Sequence, residues 1–255
     1  MRYYYAHTSH KGSLDALRRG VAYIKKQEEK TKLLVNDFRA GLVAKELGID
    51  NSTTIETISD IDLVLELGDT IIIDSMEDLP KQFKSYCNNY KVFRVLLDEP
   101  QEPIFNEQII NLSKKENLLV DDIYRREYEK KKRIVFFGGD SDHEKSILKH
   151  KSFFKELKAD LLLGHYFFVN YEIELKDFFV HIYESEEYQE IITTSSDIIT
   201  TSIQCAIESK IAGANTILIS EENLSLSIST LFVYLDIPVL HKYDLSKATV
   251  LLMSI

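Results

Sequence analysis

The stretch KKKRIVFFGGDSDHEKS, Lys130 to Ser146, decides the fold. A basic cluster runs into the apolar Ile134-Val135-Phe136-Phe137, and the run stops at Gly138-Gly139-Asp140. A buried strand that ends in a glycine pair and an acidic, helix-starting turn has the shape of a strand-to-helix crossover. Backbone exposed at such a turn can receive an anion, because the helix that follows presents unpaired N–H groups. Any parallel strand can also end this way without a ligand. The stretch falls almost halfway along the 255 residues, where a second domain would begin.

Outward from this stretch, strand-like and helix-like segments alternate. On the N-terminal side, residues 2–6, 31–36, 69–74 and 92–97 read as strands, and 14–29, 39–47, 59–67 and 79–90 as helices. The first of these helices carries Leu14, Leu17, Val21 and Ile24 at helical spacing, and Gly48 closes the second. Segments 109–112 and 117–120 are short and weakly patterned, and the charged run 125–132 reads as a connection. On the C-terminal side, strands are expected at 133–137, 159–164, 178–183, 196–200 and 216–220, with another starting at Pro238 and Val239. Helices are expected at 141–157, 186–193, 202–212 and 224–235. Alternation of this kind implies parallel sheets with crossovers, an α/β fold. The prediction is two Rossmann-like parallel-sheet domains, 1–127 and 128–255, facing each other across a cleft. Ligands of such folds bind at the carboxyl ends of the strands.

Composition narrows the function. With 44% hydrophobic and 28% charged residues, the chain has material for a real core. A net charge of −10 argues against general binding to nucleic acid or to anionic membranes. Cys87 and Cys205 form no metal-ligand spacing and read as free thiols of a reducing compartment. No run approaches the roughly 20 apolar residues that a spanning helix needs, and no apolar leader is visible, so a cytoplasmic location is expected. No cofactor and no metal is called for.

The order of these features resembles the glycosyltransferase-B-fold UDP-sugar hydrolases of pseudaminic acid biosynthesis, relatives of bacterial cell-wall glycosyltransferases. Gly12-Ser13-Leu14-Asp15-Ala16-Leu17-Arg18 is similar to the family's Gly-x-Gly-His-x-x-Arg loop. IIIDSMEDL (71–79) and VFRVLLDEP (92–100) look like its strands that end on acidic loops. RIVFFGGDSD (133–142) is similar to the opening of its second domain, and ADLLLGHYF (159–167) falls where a strand runs into a short loop. SSDIITTSIQCAIESKIAGANTILI (195–219) resembles the uridine-binding segment, with Glu208 and Gly213 at the family's spacing. The resemblance implies the glycosyltransferase-B-like fold and a nucleotide site built from Gly138, Gly139, Asp140, Ser202 and Glu208. It also implies a place in bacterial surface or flagellar glycan biosynthesis.

The departures bear on activity. The family's catalytic His falls at Asp15, the second loop glycine at Leu14, and the Gly-Gly of the nucleotide loop at Ser202 and Ile203. Ile cannot adopt the positive-φ conformations open to Gly, and its side chain fills space a phosphate would need. Base and cradle altered together are the mark of a scaffold kept without its chemistry. The expectation is therefore a catalytically impaired relative that holds a UDP-sugar, another small ligand or a protein partner. The alternative is an active hydrolase or glycosyltransferase with Asp15 as the base.

An Asp in a first helical turn also favours the helix dipole with no catalytic duty. His7 and His10 flank the same loop and titrate near neutrality, but they offer no third metal ligand. His143 and His150 read as helix-surface residues, and His165 joins no cluster. Arg18 and Arg19 are expected to cover the outer face of their helix rather than meet a phosphate. For Glu208 two readings stand: in the family position it would hold the ribose hydroxyls, and as a mid-helix Glu it would be solvated. The aromatic HYFFVN (165–170) is a candidate partner surface.

Overall fold

The computed structural model describes residues 1–9, 12–97, 101–168 and 170–253. Two compact units divide them: one holds residues 1–9, 16–97, 101–121 and 225–231, and the other 12–15, 122–168, 170–224 and 232–253.

The first unit is built on a parallel sheet of six strands: β1 (Arg2–Ala6), β2 (Thr31–Val35), β3 (Ser52–Thr54), β4 (Thr70–Asp74), β5 (Lys91–Leu96) and β6 (Gln108–Asn111). Their order across the sheet is β3-β2-β1-β4-β5-β6. Three helices accompany them: α1 (Asp15–Lys26), α2 (Phe38–Glu46) and α3 (Phe83–Asn89). Parallel strands are covered on both faces, which is why β1 reads as an unbroken aromatic run. Tyr3 and Tyr5 enter the cluster with Ile71, Ile73, Phe83 and Tyr86. Tyr4 points to the other face, where a Cβ on Gly20 of α1 would come within 2.9 Å of its ring.

The second unit repeats the plan. Its strands are β7 (Lys131–Phe137), β8 (Asp160–Leu162), β9 (Ile182–Tyr183), β10 (Ser195–Thr200), β11 (Asn215–Ile219) and β12 (Val239–Leu240). They lie in the order β12-β11-β10-β7-β8-β9, all pairs parallel. Counted from β7, this is again the doubly wound order 3-2-1-4-5-6. The helices that follow in this half of the chain are α4 (Ser146–Lys149), α5 (Lys151–Leu157), α6 (Tyr171–Leu175), α7 (Tyr188–Thr194), α8 (Ile203–Ile211), α9 (Leu226–Tyr234) and α10 (Leu245–Met253). Phe136 of β7 is fully buried and packs on Phe154 at 4.5 Å and Phe179 at 6.5 Å between ring centroids. A side chain of that size contributes about 1.5–3 kcal/mol by leaving water.

Several expected elements differ from those observed. The helix expected at 141–157 starts only at Ser146 and breaks at His150. The Asp142 carboxylate accepts from the N–H of Ser146 and Ile147, which fixes the start of the helix and keeps the preceding residues in a loop. The strand expected at 178–183 shrinks to Ile182–Tyr183, because Phe178 is turned back by a bond from its N–H to the Leu175 carbonyl. Residues 59–67 form a 3-10 turn over Ile58–Leu63 in place of an α-helix. Three elements have no counterpart among the expectations: β3, α6 and α10. The last carries a start signal in its own residues, since the Asp244 carboxylate accepts from the Lys247 N–H, and Ala248 packs into the core. Among the described residues, no helix is long and apolar enough to cross a membrane.

Candidate functional site at the carboxyl edge of the second sheet

In a doubly wound sheet the chain leaves in opposite directions from the two central strands, and the gap opened there is where ligands bind. In the second unit those strands are β7 and β10. The residues that follow them are Gly138-Gly139-Asp140 and Thr201-Ser202.

The glycine turn is set by backbone packing. Gly139 has φ +86°, a conformation that disfavours any side chain. Gly164, which follows β8, is pressed against the turn so closely that a Cβ there would lie 2.4 Å from the Asp140 Cα and from the Gly139 carbonyl oxygen. Asp140 is fully buried. Its Oδ2 accepts from the Leu14 N–H at 2.8 Å, and its Oδ1 lies 3.4 Å from His165 Nδ1. A carboxylate placed this way orients the imidazole beside it.

Ser202 is the N-cap of α8. Its Oγ accepts from the Cys205 N–H at 3.0 Å and donates to Asp15 Oδ1 at 2.9 Å. The N-terminus of α8 thus has its own hydroxyl cap and a carboxylate next to it, which is the combination the helix dipole favours. Glu208 lies further along the same helix and is 1% exposed. Tyr188 donates to its Oε2 and Gln204 to its Oε1, both at 2.8 Å. It is a buried, hydrogen-bonded carboxylate, which removes the solvated alternative.

A cavity of about 340 Å³ opens at the same edge, with Gly138, Asp142, His143, Thr201, Ser220 and Tyr243 in its wall. Among the described residues its charged lining is Asp142, Glu144, Glu221 and Glu222, with no Lys or Arg. His150 stacks on Tyr243 at 3.9 Å and faces Glu221 at 3.4 Å. Burial and then the Glu221 charge raise the Tyr243 hydroxyl above its ordinary range, so the phenol stays neutral.

The sequence-predicted residues thus separate into groups. Asp15, Asp140 and Ser202 are brought together, with Gly138 and Gly139 holding the turn. Glu208 is turned into the interior. Arg19 is a correction: it does not cover an outer helix face but lies buried, donating to both oxygens of Asp74 at 2.8 and 2.9 Å. Tyr4 donates to the same carboxylate at 2.7 Å. A strand that ends on an acid needs a buried counter-charge, and Arg19 supplies it. Arg18 is also buried, at 4% exposed. His7 follows β1 and its N–H donates to the Asp74 carbonyl, while His10 lies outside the described residues. His143 and His150 sit in the loop before α4 and in the break before α5, not on a helix surface. In the aromatic run 165–170, Tyr166 is buried and Phe168 is 49% exposed. His165, read from sequence as joining no cluster, lies beside Asp140, and the Glu221–Glu222 pair carries no signal in its own residues, because only the tertiary structure brings their loops to this edge.

No protein family matches the chain, and no curated protein is detectably similar to it in sequence. Solved structures do match in shape. S. aureus MnaA, solved with UDP, is similar over 99% of this chain and 88% of its own, with a TM-score of 0.58 at 11% identity. A UDP-N-acetylglucosamine 2-epimerase matches over 99% and 87%, with a TM-score of 0.54 at 12% identity. The kitacinnamycin glycotransferase matches over 99% and 89%, with a TM-score of 0.55 at 7% identity. The fold is glycosyltransferase-B-like. At these identities the likeness is one of fold, and the glycosyltransferase-B-like scaffold carries many chemistries on its loops.

Proposed function

We propose that this chain is a catalytically impaired relative of the UDP-sugar hydrolases, transferases and epimerases, one that keeps the scaffold for binding a different ligand or a protein partner. The finer resemblance to the hydrolases of pseudaminic acid biosynthesis belongs to the same proposal. The observation that carries it is the N-terminus of α8. A nucleotide phosphate would be drawn to that helix start. There the Ser202 hydroxyl already takes the Cys205 N–H, and Asp15 supplies the negative charge. Ile203 stands where the family has a glycine, and the neighbouring cavity offers carboxylates without a Lys or Arg among its described residues. Each feature disfavours a diphosphate.

The competing reading keeps Gly138, Gly139, Asp140, Ser202 and Glu208 as a nucleotide site and Asp15 as the general base. It needs Asp15 to release Ser202 when substrate binds. Melting with millimolar UDP separates the two, since a ligand at a hundred times its Kd adds about 2.7 kcal/mol. The expected result is no shift in Tm and no release of UDP from UDP-N-acetylglucosamine. Turnover that Asp15→Ala abolishes would overturn the proposal.

A further inference from the structure

The outer end of the second sheet carries an apolar surface. β12 is the edge strand, and two hollows of about 430 and 550 Å³ open beside it. One lies against α10, with Val239 and Val250 in its wall, and the other holds Val233 and Ile237. Pro238 and Leu251 line both, so the two join into a single face. Val233 is 82% exposed and Val250 63%. In α10 the only charged residue among nine is Lys247, in a chain of which 28% is charged. A surface helix ordinarily carries charge on its solvent side, and a contiguous apolar patch in place of that charge marks an interaction surface.

We infer that this face joins two copies of the chain about a two-fold axis near Pro238 and Leu251. Charge selects the occupant. Lys247 stands at the hollow beside α10 and Asp236 at the other, both well exposed. A two-fold axis between the hollows exchanges them, so Lys247 of each copy meets the partner's Asp236, and Val250 meets the partner's Val233. Asp244 lies 3.7 Å from Lys247 and Lys210 lies 3.1 Å from Asp236, so these two pairs add no net charge. Two chains of net charge −10 repel one another, and a balanced face is where they approach at least cost. An anionic membrane would call for an excess of Lys and Arg that these pairs do not supply. With only two residues, β12 is too short to template a further strand, so the contact is between side chains. The inference concerns this end of the second unit alone and does not depend on whether the carboxyl edge binds UDP.

The test is sedimentation equilibrium of the full chain between about 1 and about 200 μM, the range in which a small interface dissociates. A monomer–dimer equilibrium is expected. Val250→Glu places a charge in the apolar contact and should weaken the dimer about tenfold or more, with the melting of the dilute chain unchanged. Lys247→Glu or Asp236→Lys alone sets like charges opposite one another and should weaken it about tenfold. The two together restore the opposite pairing, and the dissociation constant should return to within about threefold of the parent's. Position 236 can take the exchange, since its left-handed φ is one that Lys145 and Lys158 also adopt. Should a charge-reversed chain fail to fold, Val250→Glu still decides. A chain that stays monomeric throughout overturns the inference, including one that binds phosphatidylglycerol vesicles instead. So does a dimer indifferent to Val250→Glu, or a folded double variant that dimerises no better than the single ones.

Discussion

Gly164 shows how much one missing atom can decide. A methyl group there would be driven into the backbone at Gly139 and Asp140, which cannot yield as a side-chain tip can. Gly164→Ala is expected to destabilise the protein by about 3 kcal/mol or more, read as a lower denaturation midpoint at unchanged slope. Gly139→Ala, where a Cβ meets only the Thr201 hydroxyl at 3.8 Å, is limited by its φ and should cost about 1 kcal/mol. At Ser202 the lost interaction is a cap, so Ser202→Ala should cost about 1 kcal/mol in the same measurement. The Gly138-Gly139 pair was legible in sequence as a turn. Gly164 was not, since its reason is a neighbour remote in the chain.

At the scale of elements, α1 and the strand β7 each depend on one unusual residue. Gly20 lies in the middle of α1, where Gly is worth about 1 kcal/mol less than Ala by propensity. It is tolerated because Tyr4 occupies the space a side chain would need. Gly20→Ala is therefore expected to destabilise, against the propensity scale, and thermal melting gives the sign directly. On β7, Arg133 donates to Ser195, Tyr183 and Thr194, and its guanidinium lies over the Tyr183 ring at 5.0 Å. It ties β7 to β9 and to the α7–β10 junction. Arg133→Lys cannot reproduce three directed bonds from one planar group, and faster amide exchange in β9 is the expected consequence. In sequence, Arg133 read as the end of a basic run and the start of a strand, with no sign of these three partners.

For the whole molecule, acid is the informative perturbation. Burial raises the Glu107 carboxyl, but the N–H groups of Ile104 and Phe105 and then Arg94 outweigh it, leaving it below its ordinary value of 4.5. Asp69 is likewise pulled below 3.8, where burial is outweighed by the N-terminal ammonium and the Glu66 N–H. The folded state then binds protons less readily than the unfolded one, so this stability is present above about pH 4.5 and is lost as pH falls through the lowered folded values. Urea titrations between about pH 5 and about pH 3 should show that loss. Glu107→Gln should shrink it and lower stability at neutral pH by about 3 kcal/mol, because Arg94 is left buried without its counter-charge. The sequence by itself determined the alternation, the parallel sheets and the place where the second sheet begins, because burial on both faces leaves apolar runs and crossovers leave periodic ones. The 3-2-1-4-5-6 order in each unit, the pairing of Asp15 with Ser202 and the inward turn of Glu208 were decided only by tertiary structure. Those depend on which strand edges meet and on which carboxylates find donors. Gly138-Gly139-Asp140 could be recognised as a turn from its own residues, whereas its packing against Gly164 and its bond to the Leu14 N–H come from segments remote in the chain.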